Sequence, residues 1–218
     1  MKALFGAQPI APGGAGGRLV RSDTSIMKKT ILTSLSALLI THAALASDIY
    51  VFDKDHSTVG FLVHHLFSKV SGKFTDFSGQ ISLGEADPEQ STVEVTIKTA
   101  SVNTSNDMRD QDLKSPNFFD VNKFPEMTFK SKSVKRTGQN TADVTGDLTL
   151  HGVTKEAVLK VELLGKGAGP QGTTVSGWDA TTTLKRSDFG LAWNKMIEGT
   201  HVVGDDVQVE IHVEADKQ

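Results

Sequence analysis

The sequence contains no cysteine, and it has only one tyrosine, two tryptophans and six prolines among its 218 residues. Without cysteine the chain forms neither disulfide bonds nor thiolate metal sites, so packing and hydrogen bonding have to stabilise it. The formal net charge is −3, so no excess of basic residues is available to neutralise phosphates. These absences argue against a disulfide-stapled domain, a cysteine-ligated zinc protein and a nucleic-acid-binding protein.

An N-terminal stretch has the organisation of a secretory signal peptide. From Met27 the sequence reads MKKTILTSLSALLITHAALAS, with two lysines, an apolar run over 31–40 and a small-x-small tripeptide at 44–46. This order is that of a cleaved signal peptide, and the apolar run is too short to span a membrane. A buried N-terminal helix is the alternative interpretation.

The signal peptide divides the chain into three parts. Residues 1–26 are interpreted either as residues that precede the natural start at Met27 or as a disordered leader. Residues 27–46 are interpreted as the signal peptide. Residues 47–218 form the mature domain, which we expect in the periplasm. Removing residues 1–46 takes away five basic residues and one acidic residue, so 18 basic and 25 acidic side chains remain and the net charge becomes −7.

The mature chain alternates apolar and polar residues over many short runs, a pattern typical of half-buried antiparallel strands. About eight such strands, separated by turn signals, predict an all-β fold, namely an eight-stranded antiparallel barrel. A two-sheet sandwich has the same periodicity and stays open at this point. The alternating apolar positions include Val59, Phe61 and Val63; Val93, Val95 and Ile97; Met127 and Phe129; Val144, Leu148 and Leu150; Ala157, Leu159, Val161 and Leu163; and Val207, Val209, Ile211 and Val213.

Two stretches predict short helices. The segment HHLFSK (64–69) is interpreted as one helical turn. In SNDMRDQDLKSPNFFD (105–120), either Ser105 or Asn106 is expected to cap a short helix that Pro116 limits.

Four sequence motifs together resemble the YceI-like family of exported lipid-binding proteins. The resemblance covers essentially residues 48–216, and it implies a lipocalin-like eight-stranded barrel whose apolar tunnel holds a polyisoprenoid or a similar amphiphile. One or two short helices are then expected near the barrel mouth. The motifs are DKDHSTVGFLVHHL (53–66), RDQDLKSPNFFDVNKFPEMTFKS (109–131), GDLTLHGVTK (146–155) and RSDFGL (186–191).

The resemblance also assigns a role to the aromatic segment SPNFFDVNKFPEMTF (115–129), which holds four of the eleven phenylalanines. Phe118 and Phe119 would form part of the tunnel wall or a lid over the tunnel, whereas Met127 and Phe129 would point into it. The same side chains could instead fill a solid core. The residues predicted to line the tunnel or its mouth are Phe61, Val63, His65, Val95, Ile97, Phe118, Phe119, Met127, Phe129, Val144, Leu148 and Trp178.

Neither a metal site nor a catalytic site is predicted. His64 and His65 are adjacent, so on a strand they point to opposite faces and cannot share one ion unless the chain bends into a helical turn there. The sequence has no HExxH and no GxSxG motif. In the Asp-rich stretch NDMRDQD, Arg109 is expected to pair with Asp110 or Asp112 near a helix end. No cofactor is predicted either.

The sequence is therefore interpreted as a non-enzymatic periplasmic carrier, with a lipid-binding barrel over 47–218. Its expected partner is a long-chain isoprenoid-type lipid, either a polyprenyl alcohol or a quinone. Transient membrane contact and self-association are compatible with this interpretation, and nucleic acid is not an expected partner. Two alternatives stay open: an enzyme that modifies a bound isoprenoid through His65 or the Arg109 cluster, and an all-β interaction module with a solid core.

Overall fold

The computed structural model describes residues 47–170, 172–194, 196–197 and 200–218. The predicted leader (1–26) and signal peptide (27–46) lie outside the described residues. Within the described ranges, no helix is both long and apolar enough to cross a membrane. The strands are β1 Asp48–His65, β2 Ser68–Phe74, β3 Phe77–Leu83, β4 Thr92–Lys98, β5 Val102–Asn103, β6 Glu126–Arg136, β7 Thr141–Leu150, β8 Val153–Ala168, β9 Thr174–Lys185, β10 Met196–Ile197, β11 Thr200–His201 and β12 Val203–Lys217; the α-helix is α1 Asp107–Lys114, and three 3₁₀ helices cover Pro88–Gln90, Thr99–Ser101 and Arg186–Phe189.

The strands close into an eight-position antiparallel barrel, and the sheet ends are joined where β12 pairs with β1. β2 and β3 share the second position, because they pair with the upper and lower parts of β1. β4 and β5 share the third, since they pair with β3 and β2 respectively. β6, β7, β8, β9 and β12 complete the ring. The predicted barrel is confirmed, and the sandwich is rejected because the described strands β1–β9 and β12 join in one closed ring.

The predicted helical turn at 64–69 is wrong. His65 pairs with Ser68, and the chain reverses at Leu66, whose φ is +49°. The ladder between β1 and β2 continues from Val59 opposite Phe74 up to this turn, so it satisfies the backbone groups that a helical turn would have used. The segment is a tight β-hairpin.

The second predicted helix is confirmed as α1. The Asn106 side chain accepts a hydrogen bond from the Arg109 amide at 3.0 Å, which makes Asn106 the N-cap. Asp107 and Asp110 lie in the first turn and Lys114 in the last, an arrangement that complements the helix dipole.

The two ends of the barrel differ in how they are filled. The helix end, which carries α1 and the β1–β2 and β7–β8 turns, is packed with aromatic and large aliphatic side chains. The Phe74 ring lies 5.7 Å from both the Phe61 and the Phe119 ring centroids. The buried members of this cluster are Val59, Phe74, Phe77, Val102, Met127, Leu150, Phe189 and Leu191.

Candidate functional site

The opposite end of the barrel, called here the open end, contains an apolar cavity of about 250 Å³. It carries the β3–β4 loop, the β6–β7 turn and the β8–β9 hairpin. The cavity wall consists of inward-facing positions two residues apart on each strand, as strand geometry requires. Its apolar lining residues are Val93, Val95, Val134, Val144, Leu159, Val161, Leu163, Ile211 and Val213, together with Phe52, Val59, Ile81, Leu83, Pro88, Ala142, Trp178 and Ala180.

Polar side chains surround the cavity at its rim. Glu85 comes from the β3–β4 loop, Arg136, Gln139 and Asn140 from the β6–β7 turn, and Lys166 from β8. An apolar interior with a few polar groups at one edge suits an amphiphile that has an apolar body and a polar end.

An ion pair joins two parts of this rim. Lys166 Nζ donates hydrogen bonds to both carboxylate oxygens of Glu85, at 2.5 and 2.6 Å. The hydrogen bond to Glu85 raises the pKa of the Lys166 ammonium, which therefore stays protonated at neutral pH. Both side chains are partly exposed, at 33% for Lys166 and 42% for Glu85.

Three of the twelve predicted ligand-binding residues, Val95, Val144 and Trp178, line this cavity. Five others belong to the packed helix end: Phe61, Ile97, Phe119, Met127 and Leu148.

The remaining four predicted residues lie in other places. Phe129 packs with Val144 in an adjoining buried cluster. Val63 and His65 are half-buried near the β1–β2 turn. The Phe118 ring packs against Trp193 in a tilted arrangement, with the ring centroids 5.2 Å apart and the planes at 47°. The ligand contacts of all twelve stay predictions, but this cavity opens at the end opposite α1 and not beside the helix.

The sequence-based list missed several lining residues that the alternating pattern contained. The alternation places Leu159, Val161, Ile211 and Val213 on the apolar faces of their strands, but it does not indicate that these faces line a cavity. The alternation did not predict that Lys166 faces the cavity, because a bulge in β8 just before it reverses which residues point inward.

The expected pairing of Arg109 with a neighbouring aspartate is wrong. Arg109 Nε instead donates to Thr104 Oγ1 at 2.7 Å, and Nη2 donates to Thr104 O at 2.9 Å. The buried Asp110 carboxylate accepts from the amide and hydroxyl of Thr104, at 2.8 and 2.6 Å. Thr104 occupies the position between the two charged groups, so the cluster ties the β5–α1 loop to the helix.

A second polar group lies on the outer wall, where β1 bulges away from β12 between Asp53 and Thr58. His56 Nδ1 is 2.7 Å from Asp53 Oδ2 and 3.8 Å from Glu214 Oε1. Hydrogen bonding to Asp53 raises the pKa of His56, and hydrogen bonding to His56 lowers the pKa of Asp53. The three side chains hold ligand atoms within 4.8 Å of one another. They are the residues most able to share a cation in the described ranges, but they face solvent outside the cavity.

Ser57 gives the DKDHS motif a structural role. Its Oγ donates to Glu214 O at 3.2 Å and accepts from Glu214 N at 3.1 Å. The side chain thus replaces the ladder hydrogen bonds that the bulge interrupts.

The fold and the motifs agree with what is known of related proteins. A family model described as a YceI-like domain matches residues 50–215. A UPF0312 protein of Pseudomonas savastanoi pv. phaseolicola is 45% identical over 171 residues, which cover 76% of this chain and 88% of the relative.

Two solved structures are similar to the barrel. The YCEI protein of Campylobacter jejuni shares 36% identity at a TM-score of 0.63, over 71% of this chain and 89% of that chain. A polyisoprenoid binding domain from Saccharophagus degradans shares 19% identity at a TM-score of 0.57, over 80% and 99%, a likeness that shows the fold alone. Because the family match spans most of the chain and the bacterial relative is 45% identical, this protein belongs to the YceI-like family.

Proposed function

We propose that this protein is a non-enzymatic carrier that holds a long-chain isoprenoid-type lipid, a polyprenyl alcohol or a quinone, inside the barrel. The observation that carries the proposal is the apolar cavity at the open end, with charged and amide side chains only at its rim. The polyisoprenoid binding of the Saccharophagus domain supports the same ligand class.

The two ends of the barrel suggest the orientation of the ligand. The packed aromatic cluster blocks the helix end, so the tail enters from the open end and points toward Val59 and Ile211. The polar end of the lipid then lies among Arg136, Gln139 and Asn140 of the β6–β7 turn. This placement satisfies the head group without burying an unpaired polar atom.

Hydrophobic transfer provides the affinity. Each CH₂ group moved from water into the cavity contributes about 0.8 kcal/mol. Moving the same group out of a bilayer contributes little, because lipid tails are as apolar as the cavity wall. The protein is therefore suited to reversible transport of lipid and not to its permanent removal from membranes.

The proposed site of action is the periplasm. The order of lysines, apolar run and small-x-small tripeptide in 27–46 supports export, and a cysteine-free domain folds in an oxidising compartment without mispairing. N-terminal sequencing of the exported protein is expected to give Ser47 as the first residue. Retention of residues 27–46 on periplasmic protein would contradict the cleavage site.

Mass spectrometry of organic extracts from the purified mature protein tests the function. We expect a long-chain isoprenoid in an amount comparable to that of the protein, and its loss after delipidation should be reversed by adding a polyprenyl alcohol. A chemically altered lipid after incubation would indicate an enzyme. Failure to retain any lipid, natural or added, would leave an interaction module as the better interpretation.

A further inference from the structure

The strand β8 extends past the end of its neighbour β7. β7 begins at Thr141, which pairs with Glu162, and the Leu163 amide still donates to Asn140 O at 2.8 Å. Beyond that point β8 pairs with β9 alone. Residues 164–168, called here the strap, therefore form a strand segment with one free edge at the open end of the barrel.

A β-bulge directs the strap toward the mouth of the cavity. Leu163 pairs with Trp178, but the next pairing is Gly165 with Gly177, so one residue is inserted at Leu164. The insertion moves Lys166 onto the inner face, opposite the buried Ser176. Bulges commonly re-aim a side chain in this way.

Lys166 then contacts the far side of the mouth. β8 holds the sixth position of the ring, whereas Glu85 lies in the loop between the second and third positions. The two residues are 81 positions apart in sequence, and both line the cavity. The bidentate ion pair therefore connects nearly opposite sides of the opening.

Apart from the ion pair, the strap is held by its ladder with β9, which runs from Gly165 opposite Gly177 to Ala168 opposite Thr174. A Cβ on Gly165 or Gly167 would meet no atom within 4 Å, and Leu164 is 59% exposed. The β9 side of the hairpin is anchored, because Ser176 Oγ donates to Ala215 O at 3.3 Å and β9 pairs along β12. The strap lacks a ladder partner only on the edge that faces β7.

We propose that the strap 164–168 is a gate that opens to admit and release the lipid, and that the Lys166–Glu85 ion pair is the contact that closes it. This proposal rests on the proposed carrier function. Lys166 of the strap and Glu85 both border the cavity mouth, through which a lipid entering from the open end has to pass.

The gate has a specific kinetic signature. The ion pair is present in both the empty and the loaded closed barrel, and it is absent from the open one. Breaking it therefore accelerates loading and release by the same factor and leaves the dissociation constant nearly unchanged. A partly exposed pair of this kind changes each rate by roughly two- to fivefold.

The first experiment uses Glu85→Gln and Lys166→Met, with Lys160→Met on the outer face of the same strand as the control. Transfer of a fluorescently labelled prenyl alcohol from the protein to phosphatidylcholine vesicles is followed by stopped flow, and the dissociation constant is measured separately. Both test variants are expected to release the probe faster at unchanged affinity, and the control should behave as wild type. A change in affinity without a change in rate would show a head-group contact and overturn the gate.

The second experiment closes the gate covalently. Because the chain has no cysteine, Glu85→Cys with Lys166→Cys can be joined specifically by a short bis-maleimide. The cross-linked protein is expected to lose more than nine-tenths of its exchange rate, whereas the unlinked double variant exchanges rapidly. A control cross-link between Lys160→Cys and Thr181→Cys, which face each other on the outer wall, should leave exchange unchanged.

The outcomes separate the gate from the carrier function. Probe that binds and exchanges at the wild-type rate after cross-linking overturns the gate and leaves the carrier intact. Probe that never binds to the delipidated wild type overturns both.

Discussion

The ring of Phe61 lies over its cross-strand partner Gly72, so closely that a Cβ on Gly72 would be 2.3 Å from Phe61 Cζ. Two other glycines also lie close to a phenylalanine ring in the barrel wall. A Cβ on Gly79 would be 2.5 Å from the Phe52 ring, and one on Gly146 would be 2.5 Å from the Phe129 ring. Glycine therefore makes room for an inward aromatic ring at three places in the wall.

We expect Gly72→Ala to destabilise the barrel, because the added methyl group has to displace the Phe61 ring within the packed helix end. The loss in free energy of unfolding should be about 1–3 kcal/mol, as for other overpacked cores. Gly167→Ala is the matched control, since no atom lies within 4 Å of its added Cβ, and it should be neutral or slightly stabilising. Urea unfolding of both variants checks this, and equal stabilities would contradict it.

The second prediction separates a cavity from a filled core on one strand. Val95 lines the cavity, whereas Ile97, two residues further on the same face, packs against the helix-end cluster. Val95→Trp should occupy space meant for the ligand and abolish lipid retention while the barrel stays folded. Ile97→Trp should lower the free energy of unfolding by about 1–3 kcal/mol.

Both variants are compared after delipidation, because bound ligand itself stabilises the wild type. Lipid content is measured by mass spectrometry and stability by urea unfolding on the same preparation. Equal loss of stability in the two variants would mean that both ends of the barrel are filled.

Much of the fold could be predicted from the sequence, because it depends on local signals. Alternation of apolar and polar residues predicted the strands, and a capping residue at Ser105 or Asn106 together with Pro116 predicted the short helix. The turn at Leu66 was not recognised, since neither Leu nor Phe is a typical turn residue. There the pairing of the two flanking strands outweighs local preference.

The position of the cavity could not be predicted in the same way. Whether an inward side chain fills or lines a space depends on which residues it meets from strands distant in sequence. Phenylalanines such as Phe74 and Phe119 converge at the helix end, whereas valines such as Val95 and Val144 meet at the open end and leave room. The sequence does not indicate the bulge at Leu164 either, although this bulge determines that Lys166 faces the mouth of the cavity.

A third prediction concerns the charge of His56. Hydrogen bonding to Asp53 and the nearby charges of Glu214 and Asp55 raise the pKa of His56 above its ordinary value of 6.5. NMR titration should show this, and Asp53→Asn should bring the pKa back toward 6.5. A wild-type pKa at or below that of the variant would contradict the assignment.

The effect on stability follows from the two directions of shift. The raised pKa of His56 means that its contribution is complete below about pH 6.5 and is lost as pH rises through the folded-state value. The lowered pKa of Asp53 means that its contribution is complete above about pH 4 and is lost as pH falls. The stability difference between wild type and Asp53→Asn should therefore be largest near pH 5 and smaller at pH 8.

The last prediction concerns Arg186, a buried arginine at the helix end that connects the segment after β9 to the start of β12. Its Nε donates to Gly204 O at 2.9 Å, its Nη1 donates to Leu191 O and to Trp193 O, the latter at 2.8 Å, and its Nη2 donates to Val203 O at 3.4 Å. Burial lowers the pKa of the guanidinium, and Asp205 acts in the opposite direction.

Arg186→Met should cost about 2–4 kcal/mol of unfolding free energy, because it removes four hydrogen bonds from a charged donor, one of them buried and three partly buried. Arg186→Lys should recover part of this loss, since an ammonium donates from a single point and cannot reach all four carbonyls. The open end lies at the other side of the barrel, so lipid retained per folded molecule should be unchanged in both variants. Urea unfolding and lipid extraction on one preparation check both statements. A loss below about 1 kcal/mol for Arg186→Met would show that water replaces the guanidinium at these carbonyls.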